Sequence, residues 1–267
     1  MPNFITFMYK YLFIIVCSWY AVSATAQVVF QPKQIEYNLK GVLYETEKAY
    51  DVKVFNSGIS LGMYFGEIES YYKSSYFSIE FATMKDLRER RQNKNLNFSG
   101  EGLSSSFVYG KQNSIYMFRF GQGKKRYLTE KAKRKGLAVG FSYNYGLSLV
   151  LKRPYHLKVV NPEGMAELQT IRYTEENHDQ FLNYNLIFGG ENFFTGFWSI
   201  RPTVGAHAKI GGHFAFGAYD KSVKAVEIGL MVDAFPRRLP ILVERDGVRN
   251  KYIHLNLYLS VQFGKRK

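Results

Sequence analysis

Cysteine is almost missing from this 267-residue chain: the single one, Cys17, falls in an N-terminal stretch that reads as removable. Without it there is no disulfide framework, no thiolate nucleophile and no cysteine metal site. Long hydrophobic runs are missing too. Beyond the N-terminal region no segment is apolar for 18 residues, which excludes a transmembrane helix but not a transmembrane strand, whose lipid face is hidden in alternation. Acids are scarce, 22 against 36 Lys and Arg, giving a formal charge of +14. Metal-ligand spacing of the His-x-x-x-His kind does not occur, so neither a metal nor any other cofactor is expected.

What is present begins with MPNFITFMYKYLFIIVCSWYAVSATAQ. Lys10, the apolar run from Tyr11 to about Trp19 and the Ala24-Thr25-Ala26 site read as a secretory signal peptide over residues 1–26. Val16 before Cys17 argues against a lipoprotein signal. Export without disulfides suits a bacterial envelope protein. Residues 27–42, with Pro32, read as a periplasmic strap ahead of a single domain over 43–267.

The chain holds 22 Phe and 21 Tyr, and much of this aromatic and aliphatic content alternates. In YIHLNLYLSVQFGKRK, Ile253, Leu255, Leu257, Leu259, Val261 and Phe263 share one face, and His254, Asn256, Tyr258, Ser260 and Gln262 the other. GLAVGFSYNYGLSLVLK, VEIGLMVDAF, SYFSIEFA and GISLGMYFG repeat the pattern. No part of the expected mature chain has a convincing helical period. Eight strands are expected, at roughly 44–56, 57–66, 71–84, 106–120, 136–152, 195–211, 222–235 and 250–263; two more hidden in 153–194 would make ten. The runs exceed the ~5–6 residues usual for globular strands and reach the ~9–11 that cross a bilayer. The fold class is therefore all-β: a single antiparallel up-and-down transmembrane barrel. With periplasmic termini, the first, third, fifth and seventh connections face outward; the last three are the longest, as such barrels require, while the first, at Asn56-Ser57, is a tight turn and breaks the trend. A soluble sandwich or lipocalin-like barrel shows the same alternation with the faces exchanged. The segment SSSFVYGKQNSIYMFRFG fits less well, because Lys111, Asn113 and Arg119 share phase with Ile115 and Met117.

On this reading an interior polar cluster of Glu80, Arg201, His207, Lys209, Glu227, Asp233 and His254 lines the barrel, where buried charges must pair. An eight-stranded barrel is just wide enough for its own side chains to fill it, so a plugged interior is expected rather than a pore. His207, His213 and His254 are the only catalytic candidates, for an outer-membrane lipid A or phospholipid hydrolase, and none has an evident serine and orienting acid in sequence. Residues 124–135 carry seven cations against one acid. Lys124, Lys125, Arg126, Lys131, Lys133, Arg134 and Lys135 are expected to meet lipid headgroups or an acidic partner at a periplasmic turn. Arg-rich stretches at 88–91 and 236–238 would meet lipopolysaccharide phosphates. Nucleic acid as a partner conflicts with export.

At KGVLYETE, SFVYGKQNSIYMFRFGQGKKRYL, YGLSLVLKRPYHLKVV, FPRRLPI and FGKRK, the chain resembles a family of uncharacterised outer-membrane β-barrel proteins from Bacteroidota, from about Gly41 to the C-terminus. Its first turn reads Asn56-Ser57-Gly58, where that family more often carries Thr-Asn-Gly. The resemblance implies fold and location and supplies no catalytic residues. The expected function is a structural, scaffolding or accessory-subunit role in the envelope, with outer-membrane lipids, lipopolysaccharide and an envelope protein as partners. The alternatives are the hydrolase and a narrow solute channel.

Overall fold

The computed structural model describes residues 44–70, 72–98, 102–129, 137–161, 167–216, 221–245 and 247–267. The expected signal (1–26) and strap (27–42) lie outside the described residues, as do Lys131, Lys133, Arg134 and Lys135.

Eight long strands form the barrel: β1 Thr46–Phe55, β2 Gly58–Ser70, β3 Lys73–Met84, β4 Asn113–Tyr127, β5 Leu137–Pro154, β6 Arg201–Phe216, β7 Ser222–Ala234 and β8 Ile253–Arg266. Each pairs antiparallel with its neighbours in sequence, and β1 closes on β8 with Glu47 opposite Arg266 and Phe55 opposite Tyr258. Closure leaves no bare sheet edge. No helix among the described residues is long and apolar enough to cross a membrane.

Alternation decides what lies inside, and the orientation is the reverse of a soluble barrel. In β1, Tyr50, Val52 and Val54 are 61%, 49% and 56% exposed, while Asp51 and Lys53 between them are buried at 2% and 0%. The same holds for Ile59, Leu61 and Met63 of β2 and for Leu255, Leu257 and Leu259 of β8. The lipocalin-like arrangement that the pattern left open does not form.

The connections are strongly asymmetric. At the end where β1 begins and β8 finishes (the terminal end), strands are joined through 71–72, 128–136 and 217–221. The opposite, loop end carries 56–57, 85–112, 155–200 and 235–252. The expected extra strands exist in the fifth connection, at His156–Val160, Leu168–Arg172 and Ile187–Gly190. They form a separate three-stranded sheet and do not widen the barrel, so the barrel count stays at eight. With the short helix α1 (His178–Leu182) they enclose a small core of Leu157, Val159, Ile171, Phe181 and Ile187, joined by Phe107 and Val243 of the third and seventh connections.

Two strands start later than the sequence suggested. Phe107–Val108 pair with Arg91–Gln92 inside the third connection, and Gly110 at φ 68° turns the chain before β4 opens at Asn113. Before β6, residues 197–199 form a single 3-10 turn after Gly196 at φ 84°. Both are left-handed conformations that glycine adopts without strain.

Candidate functional site in the barrel interior

The interior is layered. Near the loop end it is apolar: Phe55, Ala82, Met84, Ile115, Met117, Val150 and Met231 meet Phe235, Leu239 and Ile241, which the seventh connection folds into the mouth. This layer explains the irregular phase of the fourth strand. Ile115 and Met117 point inward with Arg119 because the lumen there is greasy, while Phe118 and Phe120 face out. The wedge is pinned through the backbone and one side chain. Gln112 and Asn113 donate their N–H groups to Ile241 O, and Asn250 accepts from the Ile241 and Leu242 N–H groups while donating to Leu242 O.

The middle layer is charged. Glu80 accepts from Lys53 Nζ (2.8 Å), from Tyr64 OH (3.1 Å) and from Lys209 Nζ. Arg119 grips Asp233 through two bonds of 2.9 Å, the fork geometry that makes arginine–carboxylate pairs strong, and lies 3.9 Å from Glu80. Lys53 also faces Asp51 at 3.5 Å, and Ser260 donates to Asp51. Gly62 sits where a side chain would collide with Asp51 and Glu80, so the absence of a Cβ makes room for the pair.

Toward the terminal end, Glu227 accepts from Tyr258 OH (2.6 Å) and from Gln262, and lies 3.2 Å from His213 Nδ1; Tyr127 OH is 3.4 Å from the other ring nitrogen. Glu47 bridges Lys125 (2.8 Å) and Arg266 (2.9 Å). Together the layers hold five buried acids (Glu47, Asp51, Glu80, Glu227, Asp233) and five buried lysines and arginines (Lys53, Arg119, Lys125, Lys209, Arg266). The numbers match, as burial of charge requires.

The sequence-derived candidates separate clearly. Glu80, His207, Lys209, Glu227 and Asp233 are brought together inside. Arg201 has the inward phase but stands exposed at the mouth, and His254 is half-buried beside Phe235. Lys125, expected at a headgroup, is the deeply buried partner of Glu47, because β4 runs on to Tyr127 and turns it inward. Lys124 and Arg126 face out; Lys124 lines an external groove of about 300 Å³ between Phe65, Phe77, Tyr143 and Tyr145. Sequence reasoning missed Lys53, Asp51, Glu47, Arg119 and Arg266. Lys53 and Asp51 alternate with Tyr50, Val52 and Val54, a signal that was there to use.

The catalytic candidates can be judged by geometry. His207 Nδ1 lies 3.1 Å from Ser148 Oγ, and its Nε2 3.1 Å from Asn144 Oδ1, which resembles a serine–histidine–asparagine relay. Ser148 is 0% exposed and sits on β5 opposite Arg119, in the middle of the filled lumen rather than at a rim. A hydrolase needs room beside the nucleophile for the scissile group. Gly121 lies against Asn144 and His207, where even a Cβ would be 2.9 Å from His207 Nε2. His207 therefore ties β6 to β5 by hydrogen bonds. His213 contacts Glu227 and Tyr127, not a serine. Among the described residues no group of three or more His, Cys, Asp or Glu is placed to hold a metal ion.

The loop-end cap has its own electrostatics. Arg88 binds Asp86 through two 2.9 Å side-chain bonds and holds its carboxyl below the usual range, while reaching the Gly247 and Arg249 carbonyls. Lys111 pairs with Glu89 at 2.7 Å. Burial holds the His156 imidazole below the ordinary histidine value, with Arg172 and Arg153 acting in the same direction against a bond to Pro154. No protein-family model matches the chain, and no curated protein matches it in sequence.

Proposed function

We propose that this protein is an outer-membrane β-barrel with a structural, scaffolding or accessory-subunit role, presenting the cap of the third, fifth and seventh connections outside the cell. One observation carries the reading: the barrel exposes its apolar faces and buries its charges. In β8 the exposed apolar positions run from Ile253 to Phe263. At ~3.3 Å per residue and the tilt of ~40° usual in such barrels, that run rises roughly 25–28 Å, the height of the apolar band of outer-membrane barrels. Three of the four connections at the loop end are longer than any at the terminal end, which supports an outward cap and periplasmic termini, and the tight turn at 56–57 is the exception. The groove around Lys124, lined by Phe65, Phe77, Tyr143 and Tyr145 with Glu67 as its one acid, is an aromatic and polar surface of the kind found at the membrane interface. The resemblance to Bacteroidota outer-membrane barrels points the same way.

Non-catalytic is the reading the interior supports best, because its acids and bases are paired with one another and its mouth is wedged shut. The first experiment is extraction of the outer-membrane fraction followed by gel migration of unboiled and boiled samples. A faster unboiled band in that fraction is the expected outcome. Recovery from the soluble periplasm without a mobility difference would reject the proposal. Reconstitution in planar bilayers addresses the channel reading: the filled lumen predicts no single-channel conductance above the lipid baseline.

A further inference from the structure

The loop-end mouth holds a cluster of cations that no carboxylate among the described residues neutralises. Lys152 near the end of β5, Arg201 at the start of β6 and Arg172 at the end of the 168–172 strand line one cleft of about 270 Å³, together with Asn113, Tyr173 and Thr174. Lys152 and Arg201 are direct cross-strand partners, an arrangement in which like charges repel. Arg237 of the seventh connection adds to the repulsion on Lys152. No carboxylate lines the cleft, and none of the three cations has an ion-pair partner among the described residues.

Elsewhere in the cap some cations have an acid, Arg88 with Asp86, Lys111 with Glu89, Arg238 with Glu244 and Lys158 with Glu191, and others are satisfied by neutral groups, Arg91 by Ser106 and Arg153 by the Phe193 carbonyl. The interior is balanced acid for base. At this mouth three segments of chain deliver positive charge to one concave place whose lining holds no acid. Such a site is completed by a ligand that brings more than one negative charge and several acceptor oxygens. Two guanidinium forks and an ammonium match the oxygens of a phosphoryl group better than a single carboxylate. The Tyr173 and Thr174 hydroxyls add neutral partners for a group attached to the phosphate.

We infer that this cleft is a phosphate-monoester binding site formed by Lys152, Arg172 and Arg201. The site itself stands on the lining of the cleft and the pairing of Lys152 with Arg201, and only the choice of phosphate source rests on the membrane reading. The phosphate has two natural sources, a lipid-borne phosphosugar or a soluble phosphate ester. Trp198 and Phe194, 97% and 75% exposed and only a few residues before Arg201, favour the lipid-borne source, since exposed aromatic rings collect at the membrane interface.

The test uses the folded full chain in a neutral detergent, its folding checked by unboiled gel migration, with inorganic phosphate titrated at constant ionic strength by calorimetry. The wild type is expected to bind saturably. Lys152→Ser with Arg201→Ser should weaken binding roughly tenfold or more, as loss of charge-assisted bonds implies. Arg172→Ser, outside the barrel, serves the same purpose should the double variant not fold. Lys48→Ser with Lys224→Ser, exposed at the terminal end, should leave binding unchanged. Lipid A in nanodiscs that displaces phosphate would assign the lipid source; binding without displacement would assign a soluble ester. Absence of saturable phosphate binding by the folded wild type, or equal weakening in the terminal-end control, would overturn the site.

Discussion

At the scale of single residues, Glu80 is the side chain on which most converges, because two lysines and a tyrosine hydroxyl depend on it. Replacing it by alanine leaves Lys209 with only the Tyr64 hydroxyl and Lys53 with only Asp51 at 3.5 Å, in a medium that solvates neither. Breaking a buried pair in this way costs about 3–5 kcal/mol, so Glu80→Ala should lower the denaturant midpoint of the compact form sharply. Ser260→Ala removes one bond to Asp51 and should cost only ~1 kcal/mol. An equal effect of the two would show that the ion network does not hold the barrel. His156 offers a milder test in the cap. Its folded pKa lies below the unfolded value of ~6.5, so protonation favours the opened cap, and its stabilising contribution is full above pH ~6.5 and falls as the pH drops below that. Hydrogen exchange in residues 156–160, corrected for intrinsic rates, should rise between about pH 7.5 and pH 5.5, and His156→Gln should flatten the response.

At the scale of elements, the wedge of the seventh connection and the charged layer beneath it are two independent barriers. Leu239→Ala with Ile241→Ala removes the apolar stopper and should raise hydrogen exchange at 239–243 without opening a conductance, because Glu80, Arg119 and Asp233 still fill the section below. Conductance in that variant would mean that the charged layer is permeable. The wedge also marks the limit of what the sequence could tell. All eight strands were legible, since alternation is a local signal and each barrel strand needs one apolar face. Less legible was anything that depended on what the far wall presents. Ile115 and Met117 looked out of phase because their partners, Leu239 and Ile241, lie over a hundred residues away. Lys125 read as a surface lysine because Glu47, its partner, belongs to a strand on another side of the barrel. The late starts of β4 and β6 were set by turns at Gly110 and Gly196 that a propensity reading passes over.

At the scale of the whole molecule, five acids balance five lysines and arginines inside the barrel among the described residues, so the interior adds no net charge to the fold. The seam between β1 and β8 has a consequence for assembly. Every other barrel pair joins neighbours in sequence, whereas Glu47 and Arg266 are 219 positions apart. Contacts that distant form slowly, because the chain loses most of its freedom before they reward it. Until the seam forms, both strands carry open edges on which other chains can template. Refolding into detergent should therefore show rapid hairpin formation followed by one slow phase that ends in protease resistance. Glu47→Gln, which weakens the seam's ion pair, should lengthen the exposure of the chain to added protease. Once sealed, the cylinder offers unfolding no loose strand to peel, so its persistence is set by the rate of reopening a single seam.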